Sequence, residues 1–116
     1  DLLVVIGDDA ARPVFVCLEL KSSKVARGYA QAERMSAYLQ HYVNAFDART
    51  GKHDYEPIII AAAMTPQSFL HNATIDEHRE ILELWFTNFK QLTRASGRKK
   101  KLLEDVLACE PRPPMS

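Results

Sequence analysis

Residues 57–64, Pro-Ile-Ile-Ile-Ala-Ala-Ala-Met, form the longest uninterrupted apolar run of this 116-residue chain. Because polar and apolar residues do not alternate in it, a strand made from this run must be buried on both faces. Strands of that kind lie inside sheets that helices cover on both sides. The run is also far shorter than the ~20 residues that a membrane-spanning helix needs. We therefore predict an α/β domain and no membrane partner.

The elements before this run form a hairpin and a helix. Residues 2–6 are a short branched apolar strand, and residues 14–21 form a second strand whose two faces differ in polarity. The short connection between them predicts an antiparallel pair. From residue 25 to residue 46, apolar residues recur in steps of three and four, which predicts a helix. The polar segment 47–56, which contains Gly51, is predicted to be a loop.

Two helices are predicted after the apolar strand, over residues 74–95 and 98–108, and a proline-rich tail follows them. The predicted order is therefore strand, strand, helix, strand, helix, helix. We assign residues 1–73 to an α/β core and residues 74–110 to a helical extension of the same domain. Residues 111–116 are expected to be a disordered tail.

Charge is balanced over the chain but segregated along it. Fifteen basic and fifteen acidic residues give a formal net charge of zero. Acids gather near the start of the chain and could hold a metal, whereas six basic residues between positions 90 and 101 could hold phosphates. An equally open reading of the basic segment is a solvated helix terminus. Two cysteines and no visible signal peptide favour a reducing, intracellular compartment, either cytoplasmic or nuclear.

Glu19 and Lys21 share one face of the second strand. A charged pair on a half-buried strand costs free energy unless it is paired or binds a ligand. In a hairpin, the start of the first strand can lie across from the end of the second, which would bring Asp1 near Glu19. Two carboxylates at one place suit Mg²⁺, which takes oxygen ligands.

Seventeen residues separate Asp1 from the tripeptide Glu19-Leu20-Lys21. This pattern resembles the signature of the PD-(D/E)XK, or restriction-endonuclease-like, nuclease superfamily. The helix that follows carries Gln31 and Tyr38, as in the RecB-type and helicase-linked branches. The resemblance covers roughly residues 1 to 64. The family core has a further helix and strand before the Asp strand, so the resemblance implies that both are missing here. We expect the rest of the core to come from a larger polypeptide or a second copy.

The resemblance implies a role for each matching residue. Asp1, Glu19 and the carbonyl of Leu20 would bind Mg²⁺ or Mn²⁺. Lys21 would orient or activate a water and neutralise charge in the transition state, and Gln31 would hold the nucleophile or a phosphate. The residues expected to contact nucleic acid are Lys24, Arg27, Arg94, Arg98, Lys99, Lys100 and Lys101.

The leading hypothesis is thus metal-dependent phosphodiester hydrolysis of nucleic acid, with DNA as the expected substrate. A second hypothesis is a catalytically inactive, nuclease-like module that binds nucleic acid or a protein partner. A third is a structural α/β domain whose exposed strand face carries an ordinary ion pair between Glu19 and Lys21. For Gln31, the alternative to a role at the site is a solvated helix residue.

Overall fold

The computed structural model describes residues 2–6, 12–50, 56–96 and 106–107. Its elements are four strands and two helices, in the order β1 (Leu2–Ile6), β2 (Val14–Leu20), α1 (Val25–Thr50), β3 (Ile58–Met64), β4 (Phe69–His71) and α2 (Asp76–Ser96). The predicted hairpin, first helix and apolar strand are confirmed. Of the predicted helix 98–108, the described residues include only 106 and 107, and the predicted tail at 111–116 lies outside them.

The four strands form one mixed sheet in the order β1-β2-β3-β4. β1 and β2 are antiparallel, and Leu2 pairs with Leu18 at one end of the hairpin. β2 and β3 are parallel, joined by α1, with Glu19 opposite Ala63. The short strand β4 runs antiparallel to β3. β3 therefore lies between two other strands, and its residues from Ile60 onward are buried, as the apolar run predicts.

The two helices cover opposite faces of the sheet. The even-numbered residues of β2 and β3 form the hydrophobic core with α2, in which Leu82 and Trp85 are completely buried. The odd-numbered residues face α1, because a Cβ at Gly28 would lie 3.6 Å from Glu19 Cβ and 3.3 Å from Ala63 Cβ. The continuous apolar character of β3 follows from this burial on both faces.

Helix α1 is longer than the strands beneath it. Its 26 residues span about 39 Å at 1.5 Å per residue, against about 23 Å for the seven residues of β3. The expected loop at 47–56 was wrong in its first part, because no helix breaker occurs before Gly51 and the helix continues to Thr50. The strand β4 was not predicted at all. Three residues are too few to show an alternating pattern.

Helix α1 packs against β2, β3 and β4 and leaves part of β1 uncovered. Leu3 and Val5 pair with Cys17 and Phe15, so they lie on the α1 face of the sheet, yet they are 44 % and 40 % exposed. Within the described part of the chain, neither helix has the length and apolar character needed to cross a membrane.

Candidate functional site

Glu19 and Lys21 lie at the end of β2, and their charged groups approach each other. Lys21 Nζ is 3.8 Å from Glu19 Oε2. The Glu19 side chain is only 5 % exposed, whereas that of Lys21 is 33 % exposed. The hypothesis of an ordinary ion pair on an exposed strand face is therefore wrong for Glu19. This carboxylate is removed from water, and Lys21 extends from it to the surface.

Gly28 explains how α1 can lie so close to this pair. A Cβ at position 28 would meet Lys21 Cγ at 3.0 Å and Ala63 Cβ at 3.3 Å. Because glycine has no side chain, the helix backbone rests directly on the two strands at the level of Glu19. The glycine that weakens α1 by local propensity is thus the residue that brings α1 to the site.

Gln31 lies one turn beyond Gly28 on α1, where residues three apart are neighbours on the helix surface. Its Oε1 atom is buried and has no hydrogen-bond partner among the described residues. A buried amide oxygen without a donor costs about 1–3 kcal/mol. The hypothesis of a fully solvated helix residue is therefore wrong for this oxygen.

The connection from β2 into α1 carries two exposed cations. Lys24 has a φ of 61°, in the left-handed region that non-glycine residues seldom adopt. Its carbonyl accepts hydrogen bonds from the backbone N–H groups of Arg27 and Gly28, which closes the first turn of the helix. Lys24 and Arg27 are both exposed. Lys24, Arg27 and the positive end of the α1 dipole therefore lie at the same end of the sheet as Lys21.

A turn that begins at the buried Thr65 also borders the site. The backbone N–H of Lys21 donates to the carbonyl of Met64 at 2.9 Å, which joins the end of β2 to the turn after β3. In that turn, Thr65 Oγ1 accepts a hydrogen bond from the backbone N–H of Ser68 at 3.0 Å. Thr65 is 2 % exposed. Thr65 is not among the predicted site residues, although its position beside Lys21 follows from the parallel pairing of β2 and β3.

One residue of the predicted basic segment also reaches this end of the sheet, on the α2 face. Leu20 pairs with Met64, and Met64 pairs with Phe69. The ring of Phe69 stacks on that of Phe86, with centroids 5.2 Å apart, and Lys90 Nζ lies 4.5 Å from the Phe86 centroid. The contact between Lys90 and the Phe86 ring is a cation–π interaction, which contributes about 0.5–1 kcal/mol at a partly exposed site.

The remaining predicted site residues cannot be placed. Asp1, Arg98, Lys99, Lys100 and Lys101 lie outside the described residues, and Arg94 is described only as part of α2. Among the described residues, no group of three or more His, Cys, Asp and Glu side chains could hold a metal ion. Glu19 is the one carboxylate that these residues bring to the end of the hairpin, so the predicted Mg²⁺ or Mn²⁺ site depends on Asp1.

Two other titratable groups lie in the sheet and differ in environment. Cys17 is completely buried on the α1 face, and this burial raises the pKa of its thiol. Its environment is that of a packed residue and not of a nucleophile.

His71 accepts a hydrogen bond at Nδ1 from the backbone N–H of Ala73, at 3.1 Å. Burial, and to a smaller extent the charge of Arg79, lower the pKa of His71, while Glu83 opposes them.

No protein-family model matches the chain, and neither a curated protein nor a solved structure matches it. Its function is therefore inferred from the residues and their geometry.

Proposed function

We propose that this chain is the metal-dependent nuclease domain of a PD-(D/E)XK-type protein and hydrolyses phosphodiester bonds in DNA. The observation that carries the proposal is the buried carboxylate of Glu19 at the end of a hairpin, 3.8 Å from Lys21 Nζ. A buried charge of this kind is costly, and one reason to keep it is a ligand or reaction that needs it.

The hairpin register supports a contribution from Asp1. Leu2, which follows Asp1 in the sequence, pairs with Leu18, which precedes Glu19. In this proposal the carboxylates of Asp1 and Glu19 and the Leu20 carbonyl are the oxygen ligands that Mg²⁺ or Mn²⁺ prefers. When bound, the ion would supply Lewis-acid stabilisation of the phosphate charge and lower the pKa of a coordinated water.

The other residues have distinct roles in this proposal. Lys21, one-third exposed, is placed to contact a phosphate oxygen and to stabilise the negative charge that develops there. Gln31 Oε1, which has no hydrogen-bond partner among the described residues, accepts a hydrogen bond from an N–H or O–H group of the bound substrate or from the attacking water. Lys24, Arg27 and Lys90 supply positive charge for phosphates around the same end of the sheet.

A second candidate is the catalytically inactive module that keeps this fold and binds nucleic acid. The observation that favours it is that the described residues contain no group of three or more His, Cys, Asp and Glu side chains that could hold a metal ion. Such a module would bind DNA in a salt-dependent way through its exposed cations, without cleavage.

One experiment separates the two candidates. The protein is incubated with single-stranded DNA and plasmid DNA in Mg²⁺ or Mn²⁺, beside the Lys21→Ala variant and, as a control, Arg12→Ala, which removes an exposed cation just before the start of β2. The proposal expects cleavage by the wild type and by Arg12→Ala, but not by Lys21→Ala. Binding without cleavage in all three proteins supports the inactive module.

A further inference from the structure

Three aromatic residues form an exposed row on the second half of α1. Tyr38, Tyr42 and Phe46 follow one another in steps of four, and we call them the aromatic row. They are 70 %, 71 % and 55 % exposed. Large apolar side chains that share one surface mark an interaction site more often than single exposed ones do.

The row is continuous with the candidate site along α1. Tyr38 and Tyr42 lie seven and eleven residues after Gln31, which are spacings that return to the same side of a helix. Helix α1 extends beyond the strands beneath it, so its later residues project past the sheet. A chain bound at Gln31 could therefore continue along the row without crossing the core.

The charge and neighbours of the row favour a polyanion. Arg34 precedes Tyr38 by four residues and Arg49 follows Phe46 by three, so an arginine flanks the row at each end. With Arg27, helix α1 has three arginines against the two acids Glu33 and Asp47. A protein-docking helix would add large exposed aliphatic residues, but the exposed residues between the rings are Gln40, His41, Asn44 and Ala45.

We propose that the aromatic row is a stacking surface for single-stranded nucleic acid that leads away from the candidate site. Successive rings are separated by about 6 Å along the helix, at 1.5 Å per residue. Unpaired bases stack on such rings without sequence preference, while arginines contact the phosphates. Bases in a duplex are already stacked on each other and cannot use the row. The proposal rests on the proposed function and narrows its substrate class to single strands.

The test measures binding separately from cleavage. Fluorescence anisotropy with a labelled oligothymidine and with a duplex hairpin of the same length is recorded in EDTA. Tyr38→Ala and Tyr42→Ala should each weaken binding of the single strand about fivefold or more, the lower end of the measured range for one base–aromatic stack. Tyr38→Phe and Tyr42→Phe keep the ring and should bind like the wild type. Leu84→Ala, an exposed position on α2, is the control and should have no effect.

The inference is overturned if the alanine variants bind the single strand as well as the wild type does. It is also overturned if the phenylalanine variants lose as much affinity as the alanine variants, or if the wild type binds the hairpin and the single strand equally. A change in sedimentation of the alanine variants with unchanged DNA binding would also overturn it, because the row would then be a protein interface. If Lys21→Ala cleaves normally while the tyrosine variants lose single-strand binding, the nuclease proposal fails and the stacking surface stands.

Discussion

Lys21 Nζ lies 3.8 Å from Glu19 Oε2, and the carboxylate is almost fully buried whereas the lysine is one-third exposed. The ion pair therefore joins the interior of the sheet to its surface. A charge that is kept out of water in this way lowers the stability of a fold more often than it raises it. This asymmetry between Glu19 and Lys21 leads to the first prediction.

Glu19→Gln should separate stability from activity. The amide has nearly the shape of the carboxylate but no charge to desolvate, so the free energy of unfolding should not fall, and a rise of about 1 kcal/mol is expected. Cleavage should be lost. Urea unfolding followed by circular dichroism measures the stability. Glu33→Gln, on the exposed side of α1, is the control and should change stability by less than about 0.5 kcal/mol. A loss of several kcal/mol in Glu19→Gln would instead make Glu19 a structural residue.

Gly28→Ala should fail to give the gain that helix propensity predicts. Replacing a helical glycine with alanine ordinarily stabilises by about 1 kcal/mol. Here the new Cβ would meet Lys21 Cγ at 3.0 Å and Ala63 Cβ at 3.3 Å, so these side chains or α1 must give way by a few tenths of an ångström. Overpacking of this kind costs about 1–3 kcal/mol, and the variant should be no more stable than the wild type and should cleave more slowly.

The control for Gly28 lies on the same helix. Ala30 is exposed, so Ala30→Gly should lower the free energy of unfolding by about 1 kcal/mol, the ordinary difference in helix propensity, without affecting cleavage. A Gly28→Ala variant that is about 1 kcal/mol more stable than the wild type, with full activity, would show that the close approach of α1 has no role.

Cys17 should be unreactive in the folded protein. Its thiol is completely buried, and this burial raises the thiol pKa, so little thiolate forms and reagents cannot reach it. In a Cys109→Ser background, Ellman's reagent should label Cys17 only as urea unfolds the chain, with the same midpoint as circular dichroism. Rapid labelling without urea would place Cys17 at the surface.

His71 should make the fold less stable in acid. Its pKa is lowered from the ordinary value of 6.5, first by burial and then by Arg79, despite the opposing charge of Glu83. The unfolded chain therefore binds a proton more readily than the folded one. The stability from neutral His71 is fully present above pH 6.5 and is lost as the pH falls through the lower folded pKa.

The contribution of His71 is measured by urea unfolding across this pH range. His71→Gln should have a flatter dependence of the unfolding free energy on pH than the wild type. His41→Gln, at an exposed position on α1, should follow the wild type. If His71→Gln has the same pH dependence as the wild type, His71 is not the group responsible.

The sequence was sufficient to predict the elements with a clear period. The uninterrupted run at 57–64 required burial on both faces, and β3 has it, while the alternation in residues 14–21 predicted a hairpin strand that carries Glu19. β4 could not be predicted, because three residues have no period. The burial of Glu19 and the closeness of Gly28 to Lys21 depend on how α1 lies across two strands, which local patterns do not encode. The burial of Gln31 Oε1, without a hydrogen-bond partner in the part of the chain that the structure describes, depends on the same packing.

The most direct test of the central claim is Mg²⁺-dependent cleavage of single-stranded DNA by the wild type and by Lys21→Ala, with circular dichroism and DNA binding measured on both. Loss of Lys21 removes one partner of a largely buried carboxylate and should cost more than the 0–1 kcal/mol of a surface ion pair, so circular dichroism establishes that Lys21→Ala is folded under the assay conditions. The proposal predicts that folded Lys21→Ala still binds DNA through its remaining cations but does not cleave it. Equal cleavage by the two proteins, or no cleavage by either, would contradict it.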